Sequence, residues 1–344
     1  MKYLFVACLL CLSVLSAVAK VPAMNKIRLT NNWEYLKGDL GGIWEAVRPA
    51  APGSSEAVPI WQPVTLPHCF NAEDAVDPDV NYYEGPGWYK TLLAIDNPYR
   101  NGRIVLDFDG AGQKTDVYVY TTHVGSHVGG YDSWNVDITD AVKAFLGSKD
   151  AERFKGKVPL SIRCDNSRDL EMIPSDLADF NIYGGLYRYL NLVYLPEVSF
   201  EQIHLESSLS SNLKEGILKV KTSFYNPEDI RKADVTVSVY DVDRKPVFSK
   251  TLEGILPLGD QLLAKMKIKN PVLWDVDVPQ LYTCELTVKT PDQTFTTEER
   301  FGFRHTEFKD KGPFFLNGKR LLLRGTHRHE DHAGQNPDIG LNRA

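Results

Sequence analysis

Apolar residues recur at every second position through most of this chain. In RIVLDFDG, residues 103–110, Ile104, Leu106 and Phe108 fall on one face. DVYVY and VPLSIRC repeat the pattern, and so do ILKVKTSFYN, DVTVSVYDV, LLAKMKIKN and YTCELTVKT further on. A period of two places alternate side chains on one side of a strand, so these segments are expected to be half-buried strands. Turn signals such as Asn97-Pro98, Asn226-Pro227 and Asn270-Pro271 separate them. Helical periodicity is scarce. ITDAVKAFLG is the main candidate, with Thr139 expected as its cap and Gly147 as its stop.

The pattern changes near Pro196-Glu197-Val198. Before it lie long, aromatic-rich loops; after it come short, regularly spaced strands ending near Phe303-Arg304. That predicts a larger β-sandwich followed by an immunoglobulin-like one. A third unit opens at FFLNGKRLLLRG. There Asn317-Gly318 is a strong hairpin signal joining Phe314-Phe315-Leu316 to Arg320 and the apolar run Leu321-Leu322-Leu323, which reads as a buried strand.

The ends and the bulk composition narrow the setting. Lys2, an apolar run to Val18 and the small-x-small Ala17-Val18-Ala19 predict an export signal over residues 1–19. The mature chain is then expected outside the cytoplasm, periplasmic or extracellular. No other stretch is long and apolar enough to span a bilayer. A net charge of −6 without a long basic run argues against a nucleic-acid partner. Past the signal lie Cys69, Cys164 and Cys284; an odd number makes a disulfide framework a poor expectation. Cys164 and Cys284 are in phase with neighbouring apolar residues and read as core, whereas Cys69 sits in a Pro/His/Asn loop.

The candidate chemistry concentrates in LLLRGTHRHEDHAG, residues 321–334, with His327, His329 and His332 beside Glu330 and Asp331. Imidazoles two apart on an extended strand point the same way, so a metal is one reading. The spacing is not the His-Glu-x-x-His helix pattern. Adjacent carboxylates on a strand face opposite sides, so Glu330 and Asp331 are not a pair flanking one bond. In the loop TLPHCFNAEDAVDPDVNYYEGPGWYK, Tyr82, Tyr83 and Trp88 are aromatic platforms for a sugar or, as the favoured reading, plugs for the end of the sandwich. Trp134 and Trp274 read as packing residues.

Four stretches carry a resemblance. GFRHTEFKDKGPFFLNGKRLLLRGTHRHED resembles the junction where an immunoglobulin-like domain hands over to a (β/α)8 barrel in family 2 glycoside hydrolases, the β-galactosidase and β-glucuronidase family. NPVLWDVDVPQLYTCELTV is similar to the closing strands of that middle domain. TDVYVYTTHVGSHVGGYDSWNVDITDAV and GGLYRYLNLVYL are similar to the heart and last strand of the N-terminal jelly roll. The resemblance implies a mostly β chain. A jelly-roll, galactose-binding-like sandwich spans 20–197, an immunoglobulin-like sandwich spans 198–305, and the first strand of a truncated barrel begins in 306–344. It further implies a β-galactosidase-like activity on a β-galactoside or related β-glycoside, through two barrel glutamates about 5 Å apart. Both glutamates belong downstream of the histidine-rich loop, so no catalytic residue is assigned here and the chain alone is expected to be inactive. Two sugar contacts carry over: His329, which follows an arginine as in the family's Asn-Arg-His-Glu loop although His327 replaces the asparagine, and Asp179, nine residues before Arg188. Arg188 and Arg304 are expected to be structural. No cofactor is expected, and a homo-oligomer fits the complete enzyme. Two competing readings are a carbohydrate-binding scaffold and a metal-dependent amidohydrolase fragment.

Overall fold

A computed structural model describes residues 25–49, 59–74, 79–175, 181–227 and 229–327. The export signal expected over 1–19 lies outside them. The first sandwich takes its strands in chain order: β1 Asn25–Arg28, β2 Trp33–Lys37, β3 Gln62–Val64, β4 Pro86–Leu93, β5 Arg103–Phe108, β6 Lys114–Val119, β7 Thr122–Val128, β8 Trp134–Asp137, β9 Val158–Asp165 and β10 Leu190–Leu195. They form a four-stranded sheet, β1-β10-β5-β8, facing a six-stranded one, β3-β2-β4-β9-β6-β7. Every pairing in them is antiparallel. Leu106 lies opposite Leu192, and Ile162 lies opposite both Tyr89 and Val117, so the apolar faces of both sheets are in register. Phe108, Leu160, Ile162 and Cys164 are fully buried between them. Each such side chain contributes about 1.5–3 kcal/mol by leaving water.

Three short helices accompany this sandwich: α1 Trp44–Val47, α2 Thr139–Leu146 and α3 Asp150–Arg153. Gly147 ends α2 as expected. Thr139, expected as the cap, is instead the first helical residue. Its Oγ1 accepts from Ile104 N at 2.8 Å, while its N donates to Asp137 Oδ1 at 2.9 Å. The aspartate two residues upstream thus takes the capping role.

The second sandwich follows: β11 Ser199–Leu209, β12 Glu215–Tyr225, β13 Ala233–Tyr240, β14 Pro246–Ile255, β15 Gly259–Lys269, β16 Tyr282–Lys289 and β17 Thr294–Phe301. Its sheets are β11-β12-β15 and β14-β13-β16-β17. Seven antiparallel strands in a three-plus-four arrangement are the immunoglobulin-like plan. Val235, Val237, Val239, Cys284 and Leu286 fill the interior. Arg103 spans the junction of the two sandwiches. Its Nη2 donates to Ser199 Oγ at 3.0 Å and to Glu201 Oε2 at 3.2 Å, and the guanidinium lies 3.3 Å from the Tyr225 ring centroid.

A small antiparallel sheet closes the described chain: β18 Thr306–Phe308, β19 Phe314–Leu316 and β20 Lys319–Arg320. Asn317 and Gly318 adopt φ of 51° and 76°, the left-handed pair that a tight hairpin requires and that Asn-Gly supplies at little cost. Leu321–Leu323 departs from the expectation. It forms no strand, and Leu322 and Leu323 are 62% and 68% exposed. Leu321 N donates to Phe314 O at 2.9 Å and extends the β19–β20 pairing by one residue; beyond it, no layer among the described residues covers Leu322 and Leu323.

Candidate functional site

Two loops meet at one end of the six-stranded sheet, one before β4 and one between β9 and β10. Their backbones zip together: His68 N donates to Leu186 O at 2.8 Å, and Phe70 N to Gly184 O at 3.1 Å. Neither segment is a strand, so side chains complete the pairing. Asn71 Nδ2 donates to Asn181 Oδ1 and to Ile182 O, both at 2.9 Å. Asn181 Nδ2 returns a bond to Asn71 O at 3.1 Å, and Gly184 N donates to Asn71 Oδ1 at 2.9 Å. Asn166, just past β9, donates from Nδ2 to Tyr83 O and Ile182 O, both at 2.7 Å, and accepts from Gly85 N at 2.9 Å. All three asparagines are at most 2% exposed. A carboxamide carries both a donor and an acceptor, so it can satisfy buried irregular backbone where no ladder runs.

Aromatic rings seal the web from beneath. Tyr35 stacks on Phe70 at 5.9 Å, and Tyr83 meets Phe70 edge-on at 5.6 Å. Gly184 admits Phe70: a Cβ there would lie 2.2 Å from its ring. Gly185, at φ 109°, gives the same room to the Tyr89 hydroxyl. His68 Nδ1 sits 2.9 Å from Tyr89 Oη. Burial lowers the His68 imidazole to about 4 and pushes the Tyr89 phenol well up, so both are neutral at pH 7. The arrangement fixes a loop surface; it presents no acid/base pair of its own.

The aromatics of the 66–90 loop divide. Trp88 lies in β4, 3% exposed, with Nε1 donating to Asp39 Oδ1 at 3.1 Å. Tyr83 donates to Pro86 O at 2.7 Å. Both are plugs, while Tyr82 reaches solvent. Trp134 is sandwiched between Phe108 at 4.0 Å and His127 at 4.8 Å. Arg188 Nη1 donates to Tyr131 O at 2.8 Å, and the Arg304 guanidinium lies 5.3 Å from the Trp274 ring centroid. Cys164 and Cys284 are fully buried, and burial raises both thiols to about 12.

Asp179 and His329 both lie outside the described residues, as does the rest of the histidine-rich loop from residue 328. Among the described residues, no three His, Cys, Asp or Glu side chains gather as a metal site. None of their helices is long and apolar enough to cross a membrane. The asparagine web escaped sequence reasoning. Its one signal is slight: three asparagines, in HCFN, RCDN and DFNIYGG, each within two residues of an apolar or aromatic side chain. A cleft of about 820 Å³ lies elsewhere, between the sandwiches, lined by Arg103, Asp137, Glu201 and Tyr225.

Comparison with known proteins agrees with this architecture. The model described as glycosyl hydrolases family 2, sugar binding domain, matches residues 39–196, and that described as glycosyl hydrolases family 2 matches residues 198–304. A β-glucuronidase of Bacteroides fragilis is 31% identical over 282 residues, which cover 78% of this chain and 39% of the relative. The crystal structure of a Parabacteroides merdae β-glucuronidase superposes with a TM-score of 0.87 at 99% identity, covering 91% of this chain and 40% of that one. Bacteroides uniformis β-glucuronidase 3 does so at 0.84 and 54%, covering 92% and 40%. The chain thus spans about two fifths of the length of the relatives it matches. Two successive family 2 matches over 39–304, on two sandwiches in the family's order, mean that this chain belongs to glycosyl hydrolase family 2.

Proposed function

We propose that this chain is the N-terminal, pocket-shaping part of an exported family 2 glycosidase that cleaves β-glucuronides. The observation that carries the reading is the 99% identity, over 91% of the chain, to a protein solved as a β-glucuronidase. It moves the expected substrate from a galactoside to a glucuronide within the same family. In this reading the two sandwiches brace a catalytic barrel. The asparagine web holds the loops of the first sandwich rigid, so that Asp179 and, from the barrel side, His329 meet the sugar. Rigid placement matters because small displacements of a positioning group cost rate steeply. Hydrolysis belongs to two barrel glutamates acting as acid/base and nucleophile with retention.

The test compares two proteins. A version completed with its barrel is expected to hydrolyse 4-nitrophenyl β-glucuronide at least about tenfold faster than the β-galactoside, a difference of about 1.4 kcal/mol in barrier. Preference for the galactoside would overturn the glucuronide reading, and failure on every β-glycoside would overturn the glycosidase reading. The 344-residue chain alone is expected to give no turnover; activity that copurifies with it through successive columns would refute its non-catalytic role.

A further inference from the structure

The outer face of the three-stranded sheet in the second sandwich concentrates positive charge. Alternate residues of β12 and β15 point outward. Lys219 and Lys221 stand on the first strand, and Lys265, Lys267 and Lys269 on the second. The register sets Lys219 directly opposite Lys265. Like charges directly opposed across a sheet are destabilising. Glu206 on β11 engages Lys219 at 3.1 Å and also Lys221, while Glu215 engages Lys267 at 2.8 Å. Asp260, at the far end, bonds to Ser223. Five ammonium groups therefore share three carboxylates, 5 − 3 = +2, on a chain whose net charge is −6.

The spacing has a shape. Along β15 the lysines repeat about every 6.8 Å, and the strands lie about 4.8 Å apart. The result is a flat, extended lane. None of these outward positions on β12 or β15 between 215 and 223 or between 260 and 269 is aromatic. Binders of single-stranded nucleic acid combine a basic track with aromatic platforms for the bases, and this lane has no such platform.

We propose that this lysine lane binds an extended acidic polysaccharide, with uronate carboxylates lying between the opposed lysines. An anion seated between Lys219 and Lys265 relieves the repulsion that the register builds in. The choice of a sugar polymer rests on the glycosidase reading; the lane itself does not.

The probe is polygalacturonate, with neutral dextran, single-stranded DNA and phosphatidylserine vesicles as comparators, against the full 344-residue chain. Retention on polygalacturonate is expected at low salt, with at least about a tenfold loss of affinity between 50 and 200 mM salt, as release of condensed counterions demands. Dextran is expected not to bind. The double variant Lys265→Glu/Lys269→Gln is expected to lose at least about tenfold in affinity. Its melting temperature is expected to hold or rise, because Lys265→Glu turns a repulsive cross-strand pair into an attractive one. Absence of retention by the wild-type chain, equal retention on DNA or vesicles, or a double variant that binds as wild type would each overturn the proposal. Aryl glucuronide hydrolysis by the completed protein is read separately. A protein that cleaves aryl glucuronides but ignores the polymer sinks only the lane; one that binds the polymer but spares glucuronides sinks only the proposed reaction.

Discussion

The two sandwiches are stabilised differently. In the second, loops are short, and valines and aromatics on facing sheets fill one regular interior. In the first, one end abandons the ladder, and buried carboxamides take over the bonding of two irregular loops. The difference teaches where precision is needed. A brace can rely on non-directional burial, which tolerates small shifts. On the proposed function, the loops that would face a sugar are held by directional bonds that allow one arrangement.

The sharpest way to break this comparison is to attack each side with the substitution it should least tolerate. Phe303 is fully buried and meets Tyr282 and Phe301 edge-on at 5.3 and 5.4 Å. Phe303→Ala is expected to cost about 3–5 kcal/mol. Hydrogen exchange should then rise across β16 and β17 while the 181–187 backbone stays protected; loss of protection in both would mean that the sandwiches share one unfolding unit. Asn166→Ala is the converse. It strands Gly85 N, while Ile182 O keeps its bond from Asn71 Nδ2 and Tyr83 O keeps a longer one, so the expected cost is about 1–3 kcal/mol. Exchange should rise at 181–187 and not in β16. An unchanged pattern would show the web to be dispensable.

A smaller effect separates the regions by pH. The His68 imidazole is held near 4 by burial against 6.5 when free, so the unfolded chain takes the proton first as pH falls. The stabilising contribution is complete above about 6.5 and is lost progressively down to about 4. His68→Gln is expected to flatten the decline of stability across that window, measured by urea titration at several pH values; an unaltered slope would remove His68 from the account. The smallest effect belongs to the outer face of the second sandwich. Lys221 and Lys219 hold the Glu206 carboxyl down to about 2, but the pairs lie at the solvent-facing surface, where they contribute little. Glu206→Gln is expected to leave the melting temperature within error; a clear fall would make that surface structural.

Much of this was legible in advance, and the residues show why. Cys164 and Cys284 are core because each is in phase with an alternating apolar run, which is a local pattern. Asn317-Gly318 turns because its two residues tolerate positive φ, also a local property. Thr139 was misplaced because its hydroxyl is claimed by Ile104 N, thirty-five residues away in the chain. Leu322 and Leu323 are exposed because an apolar run declares a preference for burial but not whether a covering layer is present among the described residues.

Sequence alone thus determined the strands, the turn chemistry, the two-sandwich order and the family, since each rests on periodicity or on motifs contained in one stretch. Only the tertiary structure decided the asparagine web and the opposed lysines. Asn71 and Asn181 are 110 residues apart, and Lys219 meets Lys265 only through the register of their strands. Contacts of that kind depend on how distant segments come into register, and no local pattern records it.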